Sequence, residues 1–450
     1  MSRYNWGVHL DLDEIARATG GRVVGPGERR VDGATMDSRA LRPGQLFVAL
    51  RGERDGHDFV IDARNAAAGA VLVEREVDTE PAVVVDDTSR ALTALGGHAR
   101  SRLDQVVVDG RHVAVVGVTG SVGKTSVKDL IAAATSRSRR TAASLRSFNN
   151  ELGVPLTLLE APDDTEVAVI EMGARGVGHV RDLCELARPT IGVVTAVALA
   201  HTEAFGTIED VAEAKGELVE ALPADGTAVL NLRDQRVAAM AGRTVAGVLT
   251  YGVDQGDVRA EGVVLDDDLR PSFRLVTPWG DAEVVLAVRG RHNAENAAGA
   301  AAAALAAGAA IDRVAEGLAA AQLSPWRMDL VTAPSGARVL NDAYNANPTS
   351  MLAALDALSD LEAERHTAVL GPMAELGAVA DAEHRRVADR AAELGVRVVA
   401  VDTSSYGGEP VDGIDGALAA LGRLDGGDAV LIKASRVAGL ERLADRLLGA

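Results

Sequence analysis

The sequence predicts an α/β protein of three domains, and three observations carry that reading. Residues 111–130, RHVAVVGVTGSVGKTSVKDL, pass from an apolar strand through a glycine-rich turn into an amphipathic helix. Short apolar runs alternate with helix-forming stretches from about 110 to 323 and again from about 326, which is the pattern of mostly parallel sheets. The 450 residues match about three domains at roughly 150 residues each. The boundaries read as 1–109, 110–325 and 326–450.

Composition narrows the classes. Hydrophobic residues make up 47% but aromatics only 3%, so the cores must be built from Ala, Val and Leu. Lys+Arg 46 against Asp+Glu 65 gives a net charge of −19, which argues against a nucleic-acid-binding surface but not against a local nucleotide pocket. The single Cys184 excludes an intrachain disulfide and a cysteine-rich metal site. The first thirty residues carry Asp11, Asp13 and Glu14 and no apolar core, so no signal peptide is expected. The alanine-rich run at 297–311 is too short to span a bilayer and reads as a packed helix. A soluble, cytoplasmic protein with no membrane partner is expected.

In the N-terminal unit, 11–19 reads as a short helix ended by Gly20-Gly21, 46–50 and 82–85 as strands, and 89–103 as a helix leading into the glycine-rich turn. Residues 37–44 have turn chemistry, and 51–58 read on composition as a surface loop.

The central unit opens with a buried strand, Val113 to Val116, then Gly117, Gly120, Gly123 and Lys124-Thr125, then a helix with Val127, Leu130 and Ile131 on its apolar face. Such glycines let backbone N–H groups face an anion. Lys124 would neutralise β- and γ-phosphates and Thr125 would offer a hydroxyl to Mg²⁺. The match to the phosphate-loop pattern is offset, with Val118 where glycine is usual and Gly117 one place earlier. The other reading of the motif is a strand–helix turn that binds nothing. Lys124 is expected to be mostly solvent-facing.

Ligands gather at the carboxyl ends of parallel strands. There the sequence places Glu171 after 167–170, His201 in the loop beyond 191–194, and Asn231 and Asp234 after 228–230. Glu171 and His201 near Thr125 would hold a divalent cation, or each is a satisfied loop residue. Lys215 shares a helical face with Val211, Leu218 and Leu222, so it either snorkels or points into a site where its amine can react. Asn293 and Asn296 either cap the alanine-rich helix or read a purine edge.

In the C-terminal unit a strand ends at 338–341, followed by Asp342, Tyr344, Asn345, Asn347 and Pro348, then a helix from Thr349. Strands at 367–370, 396–401 and 429–432, then Lys433 and a last helix from Ser435 or Arg436, suggest a small Rossmann-like domain.

The constellation resembles the Mur ligases of peptidoglycan synthesis along essentially the full chain. GVTGSVGKTS, with its offset glycine, looks like their phosphate loop. EMG at 171–173, His201, AKGE at 214–217, GRHNAEN at 290–296, the Arg of PWRM and the Asp of NDAYNANP recur in order. SFNNELGVPLTLL at 147–159, DAYNANPTSM at 342–351, MAELG at 373–377 and LIKASR at 431–436 resemble the branch that adds D-alanyl-D-alanine to UDP-N-acetylmuramoyl-tripeptide. DSRALRPGQLFVALRGERDGHDF resembles the family's uridine-nucleotide domain.

The resemblance implies a small α/β uridine-nucleotide domain, a central P-loop ATPase domain with a mostly parallel sheet, and a C-terminal Rossmann-like domain. It implies an ATP-dependent ligase of cell-wall biogenesis, and so of cell shape, cell cycle and division. The γ-phosphoryl of ATP passes to the tripeptide carboxylate, and the acyl phosphate is attacked by the amine of D-alanyl-D-alanine. Lys124, Glu171, His201, Lys215 and Arg327 would be catalytic. Thr119, Gly120, Ser121, Val122, Gly123, Lys124, Thr125 and Ser126 would cradle ATP, with Asn293 at adenine, Arg327 at the γ-phosphate and Asp342 at the ribose. Thr125, Glu171, His201 and a carbamylated Lys215 would hold Mg²⁺. Ser38, Arg39, Asn149, Asn150, Tyr344, Asn345, Asn347 and Lys433 would contact substrates. A monomer is expected.

Departures from the family pattern are Ala196 for Asn, Thr202 for Leu, Gly371-Pro372-Met373 for Gly-Asp-Met, and Ala434 for the Gly of a Lys-Gly-Ser turn. Two alternatives are a sister amide ligase and a nucleotide-binding scaffold that lost ligation. The absence of an Asp-Asn-Pro-Arg run argues against the diaminopimelate-adding sister; intact Lys124, Glu171, Lys215 and Asp342 argue against the scaffold.

Overall fold

The computed structural model describes residues 7–26, 30–78, 81–145, 147–198 and 205–449. Three larger sheets follow one another along the chain. The N-terminal sheet orders its strands Arg22–Val24, Ala82–Val84, Ala70–Val73, Leu46–Val48, Ala34–Thr35. Its first pair is antiparallel and the rest are parallel. The helix Leu12–Thr19 starts at Asp11, whose carboxylate forms a capping box with Glu14, and stops at Gly20. Residues 51–54 and 58 are exposed, as expected of a surface loop, but Gly56–Phe59 is a short 3₁₀ turn whose His57 is buried, with Nε2 accepting the Glu74 N–H at 2.9 Å.

The central sheet has nine strands, in the order Thr141–Ala143, Val167–Glu171, Ala114–Thr119, Ile191–Val194, Thr227–Asn231, Gly247–Val253, Val258–Leu265, Pro271–Thr277, Gly280–Val285. The first seven run parallel and the last two are antiparallel. The expected alternation of strand and helix therefore breaks after residue 247, where four strands follow without a helix. The parallel strands are apolar on both faces because helices cover both: Val115, Val116, Val118, Val169 and Ile170 are fully buried. Strand order diverges on either side of Ala114–Thr119, with the next strands in sequence on one flank and later ones on the other. That is a topological switch point, where the carboxyl ends open a crevice.

Few aromatics are needed because the helices pack through small residues. The helix His292–Ala306 buries Ala297 to Leu305 and lies against the helix Lys124–Ser136. The C-terminal sheet orders Asp329–Thr332, Arg338–Asn341, Asp428–Lys433, Arg365–Leu370, Arg397–Val401, Glu409–Val411, antiparallel only at its first pair. The last helix does not start at Ser435 or Arg436: a 3₁₀ turn Arg436–Ala438 precedes the helix Glu441–Leu448. Among the described residues no helix is long and apolar enough to cross a membrane.

The helix Ile311–Ala319 meets Lys124–Ser136 at Gly317, where an added Cβ would lie 2.3 Å from the Ala133 carbonyl oxygen and 2.6 Å from Ala134 Cα. Backbone atoms cannot swing aside. Gly317→Val should therefore lower the unfolding free energy by about 1–3 kcal/mol, the cost typical of overpacking. Denaturant titration checks this; unchanged stability would mean that the helix contact is looser than described.

Candidate active site

The crevice above Ala114–Thr119 is built by backbone geometry first. Gly120 has φ +143°, and a Cβ there would come within 2.0 Å of Thr195 Oγ1, so the position accepts only glycine. Thr195, just past Ile191–Val194, donates its hydroxyl to the Val122 carbonyl at 2.5 Å, and the Ser121 N–H donates to the Ala196 carbonyl at 2.7 Å. The loop is pinned to the neighbouring strand end, and Ala196 serves it through its backbone. The helix Lys124–Ser136 then starts at Gly123 with no side-chain cap, leaving its first N–H groups for a ligand. Thr119 is fully buried behind the loop, with its hydroxyl on the Met172 carbonyl at 2.8 Å. Thr125 and Ser126 are buried, and Ser121 Oγ is buried without a partner among the described residues.

Lys124 is half-buried rather than mostly solvent-facing, because its Nζ folds back to the Gly120 carbonyl at 2.7 Å. Burial pushes its pKa down; the Glu171 carboxylate opposes the shift and the Arg327 charge adds to it. Glu171 ends its strand with 1% exposure. Its Oε1 accepts from Asn149 Nδ2 at 2.7 Å, and its Oε2 is buried without a hydrogen-bond partner among the described residues. Gly173 lets Asn149 come this close, since a Cβ there would sit 2.8 Å from Asn149 Oδ1.

Lys215 lies on the helix Ile208–Glu220, on one buried face with Val211 and Leu218, at 3% exposure. It donates no hydrogen bond among the described residues. Its ammonium stands 5.6 Å from the centre of the Phe205 ring. Burial lowers its pKa to about 7, with the Lys124 charge adding and Glu217 opposing. Glu217 is itself a residue the sequence reading missed: it accepts the N–H groups of Gly178 at 2.5 Å and Arg181 at 3.0 Å, capping the helix His179–Ala187.

The facing wall comes from the C-terminal sheet. The Arg327 guanidinium stacks 4.1 Å above the Tyr344 ring, and its Nε is buried without a hydrogen-bond partner among the described residues. The Tyr344 hydroxyl makes a short hydrogen bond with Ser147. Asp342 receives the Lys433 ammonium on Oδ2 at 2.5 Å and the Met328 N–H on Oδ1 at 3.1 Å; Lys433, 2% exposed, also donates to the Asn345 carbonyl at 2.8 Å. Asn347 caps the helix Pro348–Ser359 by accepting the Ser350 N–H at 2.9 Å, and Asn345 Oδ1 accepts the Ala346 N–H, so both side chains shape their turn. Asn293, fully buried, donates to the Arg289 carbonyl at 2.6 Å and accepts from Asn296 Nδ2 at 2.8 Å; it does not cap its helix, whose N-cap position is Arg291. Ala434 keeps a negative φ, so its turn does not need glycine's freedom.

These walls enclose a cleft of about 1500 Å³ lined by the phosphate-loop residues 120–126, Asn149, Asn150, Glu171, Lys215, Asn293, Arg327, Asp342, Tyr344, Asn345, Asn347 and Lys433. Ser38 and Arg39 are not among its lining, and the exposed Arg39 pairs with Asp37 at 2.9 Å. His201 lies outside the described residues. Among the described residues no three His, Cys, Asp or Glu side chains group as a metal site. The bare Glu171 oxygen with the Thr125 hydroxyl nevertheless fits a hard cation that takes its other ligands from phosphate and water. Thr195 was missed by sequence reading, although the strand-end rule that singled out Glu171 points equally to it.

Comparison with known proteins gives matches along the chain. Residues 30–100 match the description "Mur ligase family, catalytic domain", 118–304 "Mur ligase middle domain", and 326–436 "Mur ligase, glutamate ligase domain". A UDP-N-acetylmuramoyl-tripeptide–D-alanyl-D-alanine ligase of Mycobacterium tuberculosis is 42% identical over 98% of both chains. The Escherichia coli enzyme of the same name is 35% identical over 90% of this chain and 89% of its own. The crystal structure of MurF from Acinetobacter baumannii superposes with a TM-score of 0.85 at 29% identity, covering 99% of this chain and 100% of that one. MurF ligase from Thermotoga maritima in complex with ADP gives 0.77 at 27% identity, covering 93% and 97%.

Asp342→Asn would leave the buried Lys433 ammonium without its carboxylate. Unfolding should become easier by about 3 kcal/mol, as when one member of a buried pair is removed. Lys433→Met with Asp342→Asn together should recover much of that loss. Equal losses for single and double variants in denaturant titration would count against the pair as described.

Proposed function

The chain belongs to the Mur ligase family, and on that premise we propose that it joins D-alanyl-D-alanine to UDP-N-acetylmuramoyl-tripeptide at the expense of ATP. The observation that carries this is the 42% identity over 98% of both chains to a relative of that name. Two cations, Lys124 and Arg327, also line the same cleft as the buried Glu171 carboxylate.

The chemistry asks for charge control. A carboxylate and a triphosphate repel each other, so the carboxylate cannot approach the γ-phosphorus until both charges are offset. The phosphate-loop N–H groups and Lys124 hold the β- and γ-phosphates, and Arg327 meets the γ-phosphate from the opposite wall. Asn149 fixes the Glu171 carboxylate by its 2.7 Å hydrogen bond. Thr125 and Glu171, with His201, would hold Mg²⁺, which when bound supplies further positive charge to the phosphates. The tripeptide carboxylate takes the γ-phosphoryl group and ADP leaves; the dipeptide amine then attacks the acyl carbon and phosphate leaves. Closure of the cleft by the Arg327 wall keeps water from the acyl phosphate. Asn293 has used one N–H and one lone pair, which leaves one of each for an adenine edge. Asp342 would reach the ribose through its remaining lone pairs. Asn150, Tyr344, Asn345, Asn347 and Lys433 would border the tripeptide end and the dipeptide, and Ser38 and Arg39 the uridine nucleotide. The three larger sheets fit three domains, with the division at 325/326 between two of them and the one at 109/110 falling in the turn of the hairpin Val107–Val108 with Arg111–His112. One chain carries the whole proposed set, which fits a monomer working in the cytoplasm, where nucleotide-linked precursors are made.

Lys215 is proposed to carry a carbamate: its neutral amine adds carbon dioxide and releases a proton, turning a cation into an oxygen ligand. Burial on the site-facing stripe and a pKa of about 7 support this, since at pH 8 about nine in ten such amines are neutral.

Phosphate release should require ATP, UDP-muramoyl-tripeptide and D-alanyl-D-alanine together, and Lys124→Ala should abolish it. Single amino acids should fail as acceptors, because donors built for the second amide and carboxylate would be left unpaired. Use of lysine or diaminopimelate with a UDP-muramoyl dipeptide instead would overturn the substrate assignment. For Lys215, ¹³C-bicarbonate should give a carbamate resonance that is missing in Lys215→Arg and that fades as pH falls through about 7 and the amine becomes protonated. Absence of the resonance in active wild-type enzyme would refute the modification.

A further inference from the structure

Asp129 lies five residues after Lys124 on the helix that starts at the phosphate loop, and it is not among the residues that line the cleft. Its side chain is 13% exposed. One oxygen, Oδ2, accepts both the Ser324 N–H at 2.8 Å and the Ser324 hydroxyl at 2.9 Å; Oδ1 faces Lys128 Nζ at 2.7 Å. Ser324 stands three residues before Arg327. We propose that Asp129 is a positioning residue for the ligation reaction: through Ser324 it fixes where the segment carrying Arg327 leaves the central domain, and so where the guanidinium meets the γ-phosphate. The inference rests on the reading of Arg327 given above.

The segment transmits position because little of it is free to turn. Pro325 fixes its own φ and restricts Ser324 to extended backbone. Trp326 and Met328, either side of Arg327, hold φ +62° and +57°, conformations that non-glycine residues keep only when their surroundings impose them. Further ties come from the C-terminal domain: Asp329 Oδ2 accepts the Trp326 N–H at 2.7 Å, the Tyr344 N–H donates to the Trp326 carbonyl at 3.2 Å, Arg436 stacks 4.4 Å over the Trp326 ring, and Asp342 accepts the Met328 N–H. Asp129 supplies the polar tie from the other side. Its neighbour Lys128 donates to the Ser144 carbonyl at 2.8 Å, and Ser144 Oγ accepts the Glu171 N–H at 3.1 Å. Two adjacent residues of one helix thus connect the phosphate loop to the Glu171 strand and to the Arg327 segment. A carboxylate is required here. An asparagine would turn an NH₂ group either toward the Ser324 donors or toward the Lys128 ammonium.

The test is a double-mutant cycle in the full-length enzyme, read as kcat and KM for ATP, with thermal midpoints to measure the folded fraction. Asp129→Asn should lower kcat by about a hundredfold, the scale of a misplacement near 1 Å, with KM for ATP little changed because the phosphate loop is untouched. Ser324→Ala, which removes only the hydroxyl bond, should act in the same direction and less; it carries the test if Asp129→Asn does not fold. In an Arg327→Ala background neither change should lower kcat further. Wild-type kcat per folded molecule in both variants, losses that multiply with Arg327→Ala, or a rise confined to KM would each overturn the positioning role. Wild-type kcat in Arg327→Ala alone would instead overturn the reading of Arg327, so the two failures are distinguishable.

Discussion

Lys124, Lys215 and Arg327 carry their charge into one cleft, and the way they are held decides what that cleft can do. None of the three is matched one-to-one with a carboxylate within hydrogen-bond reach among the described residues. Lys124 rests on a backbone carbonyl, Lys215 near the face of Phe205, and Arg327 on the face of Tyr344. A carbonyl or a ring steadies a cation without cancelling it, whereas a carboxylate would spend most of its field. Lys433 illustrates the contrast: buried as deeply as Lys215, it is committed to Asp342 and adds structure rather than available charge. In a chain with only 3% aromatics, two of the few rings sit beside these cations.

That arrangement depends on the switch in strand order at Ala114–Thr119. Parallel neighbours bring the carboxyl ends of Val167–Glu171 and Ile191–Val194 level with the phosphate loop, as the register of Val118 with both Glu171 and Val193 requires. Glu171 thereby reaches the loop from one flank while Thr195 pins it from the other. The low pKa of Lys215 follows from the same geometry, since the buried helix face that carries it also brings it near the charge of Lys124. Function here is set by where strands end, and strand ends are set by apolar runs with branched side chains on both faces.

The parts of this that could be read in the sequence are the parts governed by local rules. The offset phosphate loop, the Glu171 strand end and the Lys215 stripe each follow from a run of residues whose period or spacing is visible on the page. The 258–285 meander was not legible, because its strands expose one face and carry Arg, Asp and Glu, which blurs an apolar run. The burial of His57 depends on a partner 17 residues away, the backbone of Glu74. Glu217 and Asp129 escaped for a similar reason: a carboxylate on a helix reads as a solvated charge unless the N–H groups that it accepts can be seen. Asn345 and Asn347 lay in a stretch whose turn chemistry and substrate chemistry call for the same residue type, and the structure gives both a role in the turn.

Backbone strain around Arg327 shows why the domains need polar ties and not apolar packing alone. Two non-glycine left-handed residues, Trp326 and Met328, flank one arginine and cost on the order of 1–3 kcal/mol each. Apolar contact is non-directional and would let the segment relax by sliding. Hydrogen bonds to N–H groups fix direction as well as distance, and the segment has them at Ser324, Trp326 and Met328, spaced across the strained residues. The acceptors are carboxylates in all three cases, which makes each bond stronger than a neutral one. The strain is therefore held by charged groups, and Asp342, the one of the three acceptors that lines the cleft, serves twice, bracing the backbone beside Arg327 while neutralising Lys433. A ligand that drew Asp342 toward itself would loosen the brace on Met328, so contacts on this wall and the placement of Arg327 are mechanically one unit.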